Sequence, residues 1–488
     1  MANVVLIYPS TGLDIKGVSV WLPLSVLHVA SNLVKDYDVV IVDQRIDGNW
    51  KSKLSAALGQ ETLCVGISSM TGTQIKGGLS AAQYVRELAP ELPIVWGGNH
   101  PTLVPHSTVM HPLVDIVVLG EGEITFRRCV EALERGESLN EIPDLVFKKD
   151  GKFVQTGSGT DPSRFIDPSK GLILPYHLVD VERYISGPII FGKKIRALPY
   201  ISSQGCPHQC TFCCQPVLSK RKWRCQPAEM VVERALELKN RFNLDAIEFH
   251  DEEFFVNRNR GVEIAELIGG KFEWYVQTRM DDILALDLDR LAENGLRVVQ
   301  PGIETGSPRM LEMIKKGETV EDFIEGNRRL AASGLNSTYN FMMGYPTETK
   351  EDLIATVELA LKLLEENVHA TISGFYVYVP YPGAELYQQA VIDGFEEPKH
   401  LEEWSAFNRQ HLVTPWISSQ KNELEMLLYT SKLIDGRRFK NTFSRSRTME
   451  FILKAVSSFY KFRWRKHDFR KTLDIELIAF AAKKIFNW

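Results

Sequence analysis

Three cysteines crowd into Gly205-Cys206-Pro-His-Gln-Cys210-Thr-Phe-Cys213, a C-x3-C-x2-C spacing on one short loop, and nothing else in the 488 residues restricts the fold as tightly. A cubane iron–sulfur cluster normally takes four thiolates, so three leave one iron open to a further ligand. That open iron is where chemistry can start. Zinc is the alternative, since Cys206, His208, Cys210, Cys213 and Cys214 could supply tetrahedral donors. Zinc loops usually come as two separated ligand pairs, however, and no second pair appears at the expected distance.

Around the loop the chain reads as alternating strands and helices. Strand Ala197–Ser202 runs straight into the cysteines, followed by helix Ala228–Arg241, strand Ala246–His250, a helix near Gly261–Ile268 and strand Glu273–Gln277. A helix near Leu286–Asn294, strands Arg297–Gly302 and Thr338–Met343, helix Glu351–Glu365 and strand Ile372–Val379 complete six β/α units. Residues 191–390 therefore predict a partial (β/α)6 barrel, with its active site at the strand carboxyl ends.

Residues 1–140 alternate in the same way, with apolar runs at Val4–Tyr8, Val39–Asp43, Leu63–Ser68, Ile94–Gly97 and Ile116–Leu119. This predicts a doubly wound α/β, Rossmann-like domain that binds ligand beyond its strand ends. Those ends are Pro9-Ser-Thr-Gly12, Ser68-Ser69-Met-Thr71-Gly72, Gly97-Gly98-Asn-His100-Pro101 and Gly120-Glu-Gly122. Glycines there let backbone approach a large ligand closely, and His100 is a candidate contact. No G-x-G-x-x-G fingerprint is present. Residues 141–190 read as a connector with a hairpin at Asp150-Gly151, and residues 391–488 as a helical C-terminal domain.

A cysteine loop directly after the first barrel strand resembles the radical S-adenosylmethionine (SAM) superfamily. Gly66-Ile-Ser-Ser-Met-Thr-Gly72, Trp96-Gly-Gly-Asn-His-Pro101 and Asp115-Ile-Val-Val-Leu-Gly-Glu-Gly122 resemble the cobalamin-binding domain that precedes it in one large subfamily, which includes anaerobic porphyrin cyclases and class B methyltransferases. The resemblance implies a 4Fe–4S cluster on Cys206, Cys210 and Cys213, with SAM chelating the open iron. It sets Phe212 beside adenine and Asp251 and Glu252, with Glu253, toward the SAM ammonium. Gln277 and Arg279 end the third strand, where a guanidinium could pair with the SAM carboxylate. Glu304, in Gly302-Ile-Glu-Thr-Gly-Ser307, would orient Arg279 or accept ribose hydroxyls. Cobalamin would lie against Ser68, Ser69, Thr71, Gly72, Gly97, Gly98, His100, Gly120 and Gly122.

One departure matters. Better-known cobalamin domains present D-x-H-x-x-G after the first strand, and no histidine lies between Val4 and Trp21. Asp43-Gln-Arg45-Ile-Asp-Gly48 only echoes the motif. Cobalamin would then bind without a protein histidine on cobalt. The other reading is a vestigial domain that helps hold the substrate or the SAM domain. The activity implied is methylation of an unactivated carbon, with radical cyclisation or oxidation as the alternative. An iron–sulfur electron carrier or sensor is a third class, but it has no need of strand-end carboxylates and an arginine.

Charge and cysteine usage narrow the setting. With 57 Lys+Arg against 62 Asp+Glu, the net charge of -5 gives no global attraction to nucleic acid. No run of 18 apolar residues or secretory leader is read, and four of the seven cysteines fall within nine positions, which suits cofactor ligation in a reducing cytoplasm. Flavodoxin or ferredoxin is the expected reducing partner, and a small molecule the expected substrate. An apolar or amphipathic scaffold fits the aromatic C-terminal region. Cys64 and Cys129 read as core residues, as do Cys214 and Cys225 in their commoner role. The basic-aromatic stretches Arg437-Arg-Phe-Lys440 and Lys461-Phe-Arg-Trp-Arg-Lys466 predict either a peripheral membrane or anionic patch, or a helical cap with solvated charges.

Overall fold

The computed structural model describes residues 3–478 except 13, 15–19, 171–172, 186–188, 191–192, 408–413 and 435–446. Two sheets carry the molecule. The first contains β1 (Asn3–Tyr8), β2 (Asp38–Asp43), β3 (Thr62–Ser68), β4 (Ile94–Gly97), β5 (Ile116–Val118), β6 (Leu145–Lys149) and β7 (Lys152–Gln155), in the order β2-β1-β3-β4-β5-β6-β7. Strands β1 to β5 are parallel and carry near-continuous apolar runs, because helices cover both faces. The Asp150-Gly151 hairpin forms as expected. It does not lie in a free connector, however: β6 pairs antiparallel with β5 through Ile116↔Phe147, so the first sheet runs past the boundary drawn at 140.

After two short pairs, β8 (Ile189–Ile190) with β9 (Lys193–Lys194) and β11 (Ser203–Gln204) with β12 (Arg224–Cys225), the second sheet takes over. Its strands are β10 (Ala197–Tyr200), β13 (Ala246–Phe249), β14 (Glu273–Thr278), β15 (Leu296–Glu304), β16 (Asn336–Met343) and β17 (Ala370–Val377), all parallel and in chain order. This is the expected six-stranded partial barrel. Two helices that the sequence reading passed over, Pro308–Met313 and Val320–Ser333, fill the crossover between β15 and β16. The helix expected near Leu286–Asn294 is two short ones, Met280–Ala285 and Leu288–Glu293. Thr319 and Thr349 start the helices before and after β16 with capping boxes.

The C-terminal region is built against both sheets. A 3-10 segment, Leu401–Ala406, docks on the first-domain helix Thr73–Leu88, burying Trp404 and Phe407 in the same core as Trp96. Helix Arg447–Arg465 packs its Trp464 on Phe375 of β17, and the indole donates to Thr430 Oγ1 at 3.0 Å. Lys461–Lys466 is therefore no continuous surface patch: Arg463 and Trp464 are buried, while Phe462 is 58% exposed. Arg437–Lys440, Phe439 and Phe443 lie outside the described residues. Among the described residues, no helix is long and apolar enough to cross a membrane.

Candidate active site

The cysteine loop leaves β10 through a tight, polar joint. Ser202 N and Oγ donate to the two oxygens of Asp251 at 2.6 Å each, and Ser203 Oγ donates at 2.8 Å. Arg260 closes the joint from outside, reaching Ser202 O and Oγ at 3.0 Å and Gln226 O at 2.8 Å. At the next residue but one the chain passes so close to Lys222 that a Cβ on Gly205 would lie 2.1 Å from its carbonyl oxygen, and φ there is +82°. Only glycine fits. The far side of the loop is tied to the barrel by Thr211 N to Ile314 O and Leu386 N to Thr211 O.

The loop's three thiols are half-buried. Burial pushes Cys206 up to about 11 and Cys213 up to about 12; Cys210 is also raised by burial, but Lys316 and Arg279 pull against it. Such thiols lose their protons when iron takes them, and two cations stand ready to stabilise the charge. Among the described residues no three His, Cys, Asp or Glu side chains converge as ligands of one metal ion. A cluster needs no such convergence, because each thiolate binds its own iron.

Beside Cys210 lies a buried cluster of charge. Lys316 Nζ sits 3.5 Å from Glu304 Oε1 and 3.5 Å from Glu318 Oε2, with little exposure on any of the three. Arg279 is committed to its own turn: it donates to Asp281 at 3.1 Å and to Lys316 O at 2.8 Å, and pairs with Glu318 at 3.4 Å. Glu318 in turn accepts from Met280 N at 2.6 Å and Asp281 N at 3.1 Å. Arg279 thus holds the Lys316 loop in place, and Lys316, with two long contacts, is the cation with donors to spare. Neither Lys316 nor Glu318 was expected from sequence. Lys315-Lys316-Gly317-Glu318 follows a helix, not a strand, and reads as an ordinary solvated turn.

Aromatic rings complete this end of the barrel. Phe212 stands 6.4 Å from Tyr345, which stacks on Tyr378 at 5.5 Å. The Tyr345 and Tyr378 hydroxyls and Glu348 Oε1 are buried without a hydrogen bond, and Glu318 Oε2 has only its long ion pairs, leaving unmet hydrogen-bonding capacity around the loop. Gln277 is exposed at the end of β14. Glu253 is buried, and burial, then Asp282, holds its carboxyl well above the usual range.

Between the two sheets lies a cavity of about 350 Å³. Its deep part is apolar, lined by Leu6, Val26, Val29, Val95 and Phe126, and its mouth is formed by Ser68, Gly97, Gly98, Gly120 and Gly122 on one side. Gly205, Gln215, Arg224, His250 and Glu252 form the other. Arg224 ties the halves together, donating to Glu121 at 3.0 Å. Glu252 accepts from Gln215 Nε2 at 3.0 Å. Its side chain reaches the open cavity, which limits the effect of burial, yet the net push on its carboxyl is upward, to about 7.

Five of the expected cobalamin contacts, Ser68, Gly97, Gly98, Gly120 and Gly122, thus share one cavity wall with Glu252 facing them. Ser69, Thr71, Gly72 and His100 are absent from its lining. His100 is fully buried, its Nδ1 2.9 Å from Thr71 Oγ1 and its ring 5.5 Å from that of Trp404. Burial holds it down to about 3, so it stays neutral. The Phe407 carbonyl packs against Gly72, 2.3 Å from where a Cβ would stand. Asp251 is fully buried and accepts from Ser202 twice and from Ser203 once, so it shapes the loop. No histidine follows β1, but His28, 3.4 Å from Glu123, and His250 both line the cavity.

Residues 200–360 match the radical SAM superfamily model, and residues 11–130 match the B12 binding domain. An uncharacterized methyltransferase of Pyrococcus horikoshii is 28% identical over 437 residues, covering 88% of this chain and 92% of its own length. The anaerobic magnesium-protoporphyrin IX monomethyl ester cyclase of Rubrivivax gelatinosus is 26% identical over 397 residues, covering 78% and 68%. Among solved structures, the cobalamin-dependent SAM radical enzyme OxsB, with aqua-cobalamin and SAM bound, superposes with a TM-score of 0.68 at 16% identity, over 100% of this chain and 75% of that one. The radical SAM methyltransferase TsrM of Kitasatospora setae gives 0.64 at 18%, over 82% and 78%. These two likenesses are of fold.

Proposed function

Because this chain belongs to the radical SAM enzymes that carry a B12-binding domain, we propose that it transfers a methyl group to an unactivated carbon of a small molecule. The observation that carries this reading is the shared cavity: strand ends of the first domain and the strand end beside the cysteine loop face one space. When bound, the cluster supplies the electron that breaks the SAM sulfonium bond and cobalamin carries the methyl group. Cys206, Cys210 and Cys213 would hold the cluster. Lys316 would meet the SAM carboxylate, Glu304 and Glu318 would take donor groups, and Phe212 with Tyr345 would flank the adenine. The apolar slot of Leu6, Val26, Val29, Val95 and Phe126 suits an aromatic nucleotide base, and the four glycines at its mouth leave room for a macrocycle. With no histidine in the loop after β1, and with the two cavity histidines set against carboxylates, His28 against Glu123 and His250 against Glu248, the cobalt(II) form should give no protein-nitrogen coupling. A flavodoxin or ferredoxin would deliver electrons.

A second reading, radical cyclisation or oxidation, is supported by the cyclase relatives. It needs only one SAM per turnover. Protein handled without oxygen, given methyl-labelled SAM and substrate, should yield 5'-deoxyadenosine, S-adenosylhomocysteine and labelled product together. Deoxyadenosine with an unlabelled, oxidised product would favour the second reading.

A further inference from the structure

Strand alternation splits the second sheet into two faces. Ile247, Phe249, Trp274, Val276, Val299 and Phe341 pack outward into the main core with the helices. The opposite face looks into the barrel, and its floor is a small separate cluster of Ile195, Ala197, Ala246, Tyr275 and Val298. Above that floor the lining changes character. Glu248, His250, Gln277, Gln300, Asn340 and Ser373 follow, and none of them is buried. A closed (β/α)8 barrel fills this space with branched apolar side chains. Here the polar side chains above the floor keep access to solvent, and apart from Pro199, Ile201 and Met342 the lining is amides, hydroxyls, the His250 imidazole and a carboxylate.

The lining is organised. Ser373 Oγ donates to Asn340 Oδ1 across β16 and β17, and the Tyr376 hydroxyl stands 3.2 Å from Ser373 Oγ. Thr338 and Thr371 pair at 3.0 Å. On the opposite wall His250 Nε2 lies 3.2 Å from Glu248 Oε2, with Trp21 edge-on to the imidazole at 5.7 Å. His250 also lines the cavity between the sheets, so this residue borders both spaces.

We propose that the substrate met in this lumen is a polar metabolite presenting several hydroxyl or amide groups. A hydrocarbon would strip water from Gln277, Gln300, Asn340 and Glu248 and return no hydrogen bonds, whereas a substrate rich in hydroxyls replaces the water it displaces. This departs from the apolar scaffold expected from the C-terminal aromatics. Trp404, Phe407 and Trp464 are buried in packing. The inference rests on the proposed methyl transfer only for its readout.

The test uses the holoenzyme, loaded with cluster and cobalamin, with methyl-labelled SAM and a reductant. The substrate source is either phase of a methanol–chloroform metabolite extract. Label should enter a compound of the aqueous phase, and Gln300→Leu and Asn340→Leu should lower that incorporation at least tenfold while iron and cobalamin contents, which report folding, match the parent. Label in a chloroform-phase compound, leucine variants as productive as the parent, or no aqueous compound consumed would each overturn the proposal. Consumption of an aqueous compound with deoxyadenosine but no label would support the pocket and defeat methyl transfer.

Discussion

Asp251 grips Ser202 twice, taking its backbone N–H on one oxygen and its hydroxyl on the other, both at 2.6 Å. The carboxylate that looked poised for a SAM ammonium is instead the brace that sets where the cysteine loop departs from β10. Asp251→Ala would strand three buried donors, each costing about 1–3 kcal/mol. Iron per chain and melting temperature should both fall, and a variant with normal iron but weakened SAM binding would contradict the bracing role.

Cluster ligation should separate the neighbouring thiols. Changing Cys206, Cys210 or Cys213 to Ala should abolish reductant-dependent 5'-deoxyadenosine formation and lower iron content. Cys214→Ala should be tolerated, since its place at the start of helix Gln215–Leu218 needs no thiol. Electron paramagnetic resonance of the reduced protein would score all four.

Lys316 is the residue that sequence reading missed and geometry singles out. Lys316→Met leaves Glu304 and Glu318 facing each other across a buried site without their shared cation, and breaking such a set typically costs about 3–5 kcal/mol. SAM affinity should drop at least tenfold, about 1.4 kcal/mol, as read by equilibrium dialysis. Unchanged affinity in a folded variant would remove Lys316 from the SAM site.

Cavity access can be tested at Gly97. A Cβ there has ordinary room, its nearest neighbour Val118 O lying 3.6 Å away, so the fold should accept a side chain. Gly97→Leu would place that side chain in the cavity mouth. Cobalamin uptake, followed by its visible absorbance, should fall at least tenfold with iron content preserved.

His100 should make the protein acid-sensitive. Its folded pKa, held by burial at about 3, lies below the ordinary 6.5. The unfolded chain therefore binds the proton first, and this contribution to stability is whole above pH 6.5 and declines as pH falls toward 3. Between pH 6.5 and 5 the loss amounts to about 2 kcal/mol, at about 1.4 kcal/mol per unit. His100→Gln should flatten that part of the pH–stability curve, and an unaltered slope would assign the acid sensitivity elsewhere.

What the sequence determined by itself is whatever short-range pattern can encode. Apolar runs such as Val4–Tyr8 and Ile94–Gly97 became strands because period and β-branching act locally, the Asp150-Gly151 turn formed because its backbone preference is its own, and three cysteines on one loop named their cofactor. Only the tertiary structure decided which strand-end groups are free to act. Gly72 and His100 share glycine-rich turns with Ser68 and Gly98, and nothing near them in the chain says that Phe407 will cover Gly72 and Trp404 will pack on His100 while Ser68 and Gly98 stay open to the cavity. Asp251 became a brace of the cysteine loop, and Lys316 came to lie buried between Glu304 and Glu318, for the same reason. Burial and hydrogen-bond partners are supplied by residues remote in the chain, and a side chain's chemistry is set by those partners as much as by its own type.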